Sequence, residues 1–253
     1  MKFLRLRLIK CKNSAIIASL ERKTGEFMDK KMNVLDVRLD NYTAKDAMKA
    51  VTEFLQTELM STIEIVTVDS LMCVSQTPGL KEDIEALDLV LAGDAAILEA
   101  AGVSEKKKLQ EAQNRVFLKM FLRYLHKNKM KVFVLGETEE EGQQLRAYIE
   151  EELAGIQLAG FAVVPEDESA DDQITNVING TEADCILACM NSPKKEQFIR
   201  RVRQVLNVKL WLGMGRGMIS VSGMGGWKEK LMEFVERMLM KREAEKIKKR
   251  KEA

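Results

Sequence analysis

The chain has 253 residues, 46% hydrophobic and 31% charged, with only three prolines, a composition that is globular and long enough to bury a substantial core. No apolar run approaches membrane-spanning length. The net charge of +1 is unevenly held: residues 1–31 carry nine Lys/Arg against three Asp/Glu and residues 227–253 carry ten against six, which leaves −9 for residues 32–226 and argues against nucleic-acid binding.

Cys11, Cys73, Cys185 and Cys189 show no metal-ligand spacing, and the single histidine, His126, lies in the basic end of a helix. They read as reduced core cysteines and a helix-end histidine of a cytosolic protein without a metal centre. Residues 1–31 resemble a weak signal peptide but show no clear cleavage pattern, and they read as an accessory arm, or a spurious one if Met28 or Met32 is the true start.

From Met32 an α/β rhythm sets in. Asn33–Leu39 alternates as a strand, and Thr43 with Asp46 forms a capping box that opens a helix. Ile63–Val68 is a β-branched strand followed by a helix, Leu87–Leu91 a short strand, and Ala95–Ala101 a helix. Lys106–Lys129 reads as one long amphipathic helix. Lys131–Leu135 is a strand that turns at Gly136 into a helix capped by Thr138, with Glu141 three residues on. Ile156–Val164 is a strand, Asp171–Asn179 a helix, Asp184–Met190 a strand, and Val208–Leu212 the last strand, ending in Gly213–Gly217. The alternation predicts an α/β fold, a Rossmann-like, doubly wound and mainly parallel sheet over residues 32–217.

In the stretch Ala183–Ile199, Ser192 reads as the N-cap and Pro193 as the first helical residue. The cations Lys194 and Lys195 conflict mildly with the helix dipole there, which makes sense if an anion such as a nucleotide phosphate binds; an ordinary βα turn with solvated lysines is the plainer reading.

In open α/β sheets the ligand lies beyond the carboxyl ends of the strands. Those ends supply Thr67, Asp69, Asp94, Gly136, Thr138, Asn191 and Ser192. Asp94 reads equally as a helix cap and as a catalytic carboxylate. Gly213-x-Gly215-x-Gly217 is not the dinucleotide-binding fingerprint.

Residues 218–253 form a C-terminal appendage. Trp227, Leu231, Phe234, Val235, Met238 and Leu239 recur at helical spacing, and Lys241–Lys251 holds seven Lys/Arg, beginning with Lys241 and Arg242. The apolar stripe fits either packing on the domain or a second subunit, as in a homo-oligomer, or lying at an anionic bilayer surface.

The order of these pieces resembles the WecG/TagA/CpsF glycosyltransferase family (glycosyltransferase family 26) from about Met32 to Arg242. The segments that carry it are MNVLDVRLDNYTAKDAMKAV, IEIVTVDSLM, ALDLVLAGDAAILEAAG, KVFVLGETEEEGQQL, ADCILACMNSPKKEQFIRR and EFVERML. The family's T-x-N segment stands as Thr67-Val68-Asp69. Its P-D-G turn stands as Ala92-Gly93-Asp94, with the carboxylate displaced by one position. Its G-x-P-x-Q-E motif stands as Asn191 to Glu196, with Lys195 in place of glutamine. E-W-x-x-R stands as Glu233 to Arg237, and GRGMISVSGMGG occupies the place of the F-D-x-x-x-G and R-A-P region.

The resemblance implies transfer of an N-acetylmannosamine-like N-acetylhexosamine from a UDP-sugar donor to an undecaprenyl diphosphate-linked N-acetylglucosamine acceptor. The chain would then be a cytoplasmic protein, peripheral on the inner face of the bacterial membrane, serving teichoic acid or capsule synthesis without a metal or other cofactor. It implies Asp94 as base, with Thr67 holding a substrate sugar. Asp69, Gly136, Thr138, Asn191, Ser192, Lys195 and Glu196 would bind substrate, Arg237 would clamp the diphosphate, and Trp227, Leu231, Phe234, Met238, Lys241 and Arg242 would meet the membrane. The alternative is a catalytically impaired relative that binds a nucleotide sugar or a partner glycosyltransferase, on the strength of the altered motif positions.

Overall fold

A computed structural model describes residues 31–216 and Met218; the expectations for the N-terminal arm and the C-terminal appendage, Arg237 and the membrane-facing residues included, lie outside the described residues. The chain opens with β1 (Lys31–Val34) and β2 (Val37–Asp40), an antiparallel pair turned at Leu35 and Asp36, both at positive φ. The single strand expected over Asn33–Leu39 is therefore a hairpin. Its alternation survives the turn, because Met32, Val34, Val37 and Leu39 all enter one apolar cluster.

The main sheet has six strands, β3 (Ser61–Val66), β4 (Leu89–Ala92), β5 (Lys131–Gly136), β6 (Gln157–Val163), β7 (Cys185–Cys189) and β8 (Leu210–Met214), in the order β4-β3-β8-β7-β5-β6. Every pairing is parallel, so all six carboxyl ends share one rim. Strands buried on both faces read as continuous apolar runs, which is why β7 and β8 look alike in sequence.

Side-chain alternation divides the core into two layers. On one face Val66, Val90, Phe133, Ile186 and Trp211 pack with the hairpin and with helices α2 (Val68–Val74), α3 (Leu80–Glu85), α4 (Ala95–Ala100), α8 (Asp171–Gly180) and α9 (Lys194–Val202). On the other, Ile63, Ile65, Leu91, Val134, Leu187 and Leu212 pack with α1 (Ala44–Phe54), α6 (Val116–Lys127) and α7 (Glu139–Glu152). The capping boundary expected for α1 is present: Thr43 accepts from the Asp46 N–H, and the Asp46 carboxylate accepts from the Thr43 N–H at 3.2 Å.

The strands expected over Ile63–Val68, Leu87–Leu91 and Val208–Leu212 lie at Ser61–Val66, Leu89–Ala92 and Leu210–Met214, and two helix boundaries also differ from the sequence reading. The helix expected over Lys106–Lys129 is two, α5 (Lys106–Gln113) and α6, broken at Arg115 with φ 51°. Leu109 and Ala112 pack toward the first layer, whereas Leu118, Phe121 and Leu125 enter the second, so the chain must bend as it rounds the β4 edge. In α9 the N-cap position falls to Pro193, not Ser192, and the Ser192 hydroxyl turns to Glu196 instead.

Candidate functional site

Thr67 ends β3 as the N-cap of α2, its hydroxyl accepting from the Ser70 N–H at 3.2 Å. Asp94 ends β4 at the N-cap position of α4, but its side chain caps nothing there. It accepts instead from the Val68 N–H on the neighbouring corner at 3.4 Å, so the β3 and β4 corners are tied together. Gly93 between them has ordinary backbone; what it needs is room, since a Cβ would lie 2.9 Å from the Val66 carbonyl oxygen. Burial pushes the Asp94 carboxyl above its ordinary value, the Val68 N–H and Arg115 pull it back, and exposed Asp69 pushes it up again. A half-buried carboxylate with a raised pKa, on a rim, is suited to take a proton.

Arg115 is a site residue that sequence reasoning missed. The break between α5 and α6 holds it near Asp94, and its guanidinium donates to the Met218 carbonyl at 2.7 Å. A mostly apolar cleft lies beside this corner, walled by Tyr42, Leu91, Gly93, Phe117 and Met218, with Asp40, Lys108, Glu111 and Arg115 as its charged groups.

The other rim residues form a second group. Gly136 ends β5 and Thr138 follows it, and Asn191 and Ser192 follow β7, the adjacent strand. The Asn191 N–H donates to Glu137 at 2.5 Å, and Arg216 pairs with Glu137 and Glu141. Thr138 caps α7, whose first turn holds Glu139, Glu140 and Glu141. Such a helix start is already occupied by negative charge and is a poor seat for a phosphate. At one strand spacing of about 4.8 Å, the β4 corner lies roughly 14 Å from the β7 corner and 19 Å from the β5 corner. The sequence-predicted residues thus share a rim but fall into two groups, bridged where Lys195 reaches Ser192 on one side and Ser70, beside Thr67, on the other.

Lys195 is the main correction. It was expected at the surface or on a phosphate, yet Lys195, Glu196 and Glu64 are all 0% exposed. The ammonium lies 2.9 Å from both carboxylates and donates to Ser192 at 2.7 Å and to Ser70 at 3.3 Å. Burial works against the Lys195 charge, but the two glutamates outweigh it and its pKa rises. Burial raises Glu64 far above the usual carboxylate range, with Glu196 adding to it and Lys195 opposing. Burial also opposes the Glu196 charge, yet Lys195 and hydrogen bonds from Glu64 and Ser192 hold its pKa below the ordinary value. The two shifts run in opposite directions, so Glu64 is the member of the pair whose neutral form is favoured and Glu196 the member whose charge Lys195 favours. Gly213, paired with Glu64 in register, must lack a side chain, since a Cβ would stand 2.8 Å from Glu64 Oε2. The signal for Glu64 was present in the sequence: one charged residue inside the β-branched run STIEIV, every residue of which is buried.

Among the described residues no cluster of His, Cys, Asp or Glu is arranged to hold a metal, and no helix is long and apolar enough to cross a membrane.

A curated relative, N-acetylglucosaminyldiphosphoundecaprenol N-acetyl-beta-D-mannosaminyltransferase of Staphylococcus aureus (strain MRSA252), is 22% identical over 187 residues, 73% of each chain. The sequence model of the glycosyl transferase WecG/TagA/CpsF family matches residues 32–226, which takes in the whole six-stranded sheet and both rim groups. With a match over most of its length and a parallel sheet that gathers Thr67, Asp94 and Asn191 at one rim, the chain belongs to the WecG/TagA/CpsF glycosyl transferase family.

Proposed function

We propose that this glycosyltransferase moves an N-acetylmannosamine-like N-acetylhexosamine from a UDP donor to an undecaprenyl diphosphate-linked N-acetylglucosamine, in cell-surface polysaccharide or teichoic acid synthesis. The observation that carries the reading is the joined β3–β4 corner, where Asp94, with its raised pKa, stands beside Thr67 and within the field of Arg115. Asp94 takes the proton of the acceptor hydroxyl as that oxygen attacks the anomeric carbon. Positive charge is needed on the departing diphosphate. Arg115 supplies it from the described residues, and Arg237 does so by its place in the family's E-W-x-x-R motif. The carboxylates at the start of α7 leave Gly136 and Thr138 to an uncharged part of the donor.

The test is transfer from UDP-N-acetylmannosamine to a short-chain lipid acceptor, alongside calorimetry with UDP. Transfer supports the proposal, and failure both to transfer and to bind UDP overturns it. A second reading, an impaired relative that keeps nucleotide-sugar or partner-glycosyltransferase binding, is favoured by the burial of Lys195 where the family motif has glutamine. UDP binding without transfer would select it.

We further propose that residues 227–242, whose sequence has helical spacing, lay the protein on the anionic inner membrane face through Trp227, Leu231, Phe234 and Met238 with the basic run from Lys241 and Arg242. The full chain is expected to sediment with anionic vesicles and a chain ending at Gly226 is not; equal sedimentation of the two removes the membrane role.

A further inference from the structure

The Thr67 hydroxyl is joined to the buried ion cluster by one residue. Ser70, 2% exposed, has two groups on its hydroxyl oxygen: Lys195 Nζ at 3.3 Å and Thr67 Oγ1 at 3.1 Å. An ammonium has donors and no acceptor. Of these two partners only Thr67 can therefore receive the Ser70 hydroxyl proton, and a buried hydroxyl left without an acceptor is costly. Thr67 Oγ1 already accepts the Ser70 N–H at 3.2 Å. With the Ser70 O–H added, both its lone pairs are taken.

We infer that Ser70, oriented by Lys195, is a positioning residue that leaves the Thr67 hydroxyl as a hydrogen-bond donor to a substrate oxygen and unable to act as an acceptor or base. The inference rests on the proposed sugar transfer and adds the direction of the Thr67 hydrogen bond. Its ligand is an oxygen that gains negative charge or already carries it, a diphosphate oxygen of a substrate. Lys195 also holds Ser192 at 2.7 Å, so the same ammonium fixes a hydroxyl at the β7 corner. The replacement of the motif's glutamine by lysine thereby acquires a role away from the surface. Glutamine could accept the Ser70 proton through its carbonyl, whereas lysine cannot.

The experiment is a double-mutant cycle on the full chain in the transfer assay, with Thr67→Val, Ser70→Ala and both together. Thr67→Val is expected to cost on the order of 10- to 100-fold in kcat/KM, the range for a hydrogen bond to a charged group, and Ser70→Ala about three- to tenfold. In the Thr67→Val background Ser70→Ala is expected to cost nothing more, and Thr67→Ser is expected to retain most activity. Thermal melting checks folding, and Ser70→Cys, close in size and a weaker donor, serves the same comparison if Ser70→Ala does not fold. Independent, multiplying losses from the two substitutions overturn the inference while leaving sugar transfer standing. So does a Ser70→Ala enzyme as fast as wild type. Absence of both UDP binding and transfer in wild type removes the proposed function, and the inference with it.

Discussion

Asn in place of Asp94 is expected to cost about 10²- to 10⁴-fold in kcat, the usual worth of a general base, with the melting temperature unchanged or raised. The second half follows from the direction of the pKa shift. Burial raises the folded carboxyl above its unfolded value, so the folded state holds the proton more tightly. The stability this contributes is complete below the unfolded pKa and is lost as pH rises through the folded pKa. At neutral pH the folded chain therefore carries a penalised charge, and a neutral amide removes the penalty. In wild type the acid limb of kcat/KM should lie above the ordinary aspartate value of about 3.9. Arg115→Ala should shift that limb to higher pH, because the guanidinium now draws the value down. A D94N enzyme with unchanged transfer would remove Asp94 from the role of base.

The largest loss of stability is expected from Lys195→Met. It strands the Glu64–Glu196 pair in a site with no solvent exposure, and removing one member of a buried ion pair costs about 3–5 kcal/mol. For a domain of this size that corresponds to a fall of roughly 6–20 °C in Tm. Glu64→Gln should be mild by contrast, because burial favours the neutral form of Glu64, and an amide is neutral and of the same shape. Glu196→Gln should resemble Lys195→Met, because it removes the ionised partner of the ammonium.

The two carboxyls also act with opposite sign against pH. The contribution of Glu196, with its depressed pKa, is present above the unfolded carboxylate value and lost as pH falls through the folded one. That of Glu64, with its raised pKa, is present at low pH and lost as pH rises through the folded value. Melting curves of the three variants across pH check the assignment. A Glu64→Gln variant as unstable as Lys195→Met would mean that Glu64 is the ionised partner.

Much of the sheet was legible because its strands carry apolar runs of the right length between capped helices. Thr43 and Thr138 marked their helix starts by residues three apart, a purely local relation. The hairpin at Leu35-Asp36 was missed because neither residue is a glycine or asparagine, although both take positive φ. The bend at Arg115 was missed for a related reason. Helical periodicity runs through it, and only the need to round the β4 edge breaks it.

Of the candidate site, the sequence could name rim residues but not their distances. Strand order alone decides that Asp94, on the edge strand, is tied to the Thr67 corner and stands four strands from the Thr138 corner. Lys195 shows the same limit more sharply. As a letter in the first turn of a helix it reads as a surface cation, and its neighbours in sequence do not say otherwise. It is buried because it also packs on Glu64, 131 positions earlier on β3, which the alternation of the strand turns toward the same layer.

The sequence by itself therefore determined the element types, the parallel sheet, the shared rim and the family, since these depend on periodicity, caps and motif order within short windows. Only the tertiary structure decided which corners join, that Arg115 lies beside Asp94, and that Lys195 is buried among glutamates. Those relations are set by the crossing of distant strands, and electrostatics depends on separation in space and on burial, neither of which local pattern records.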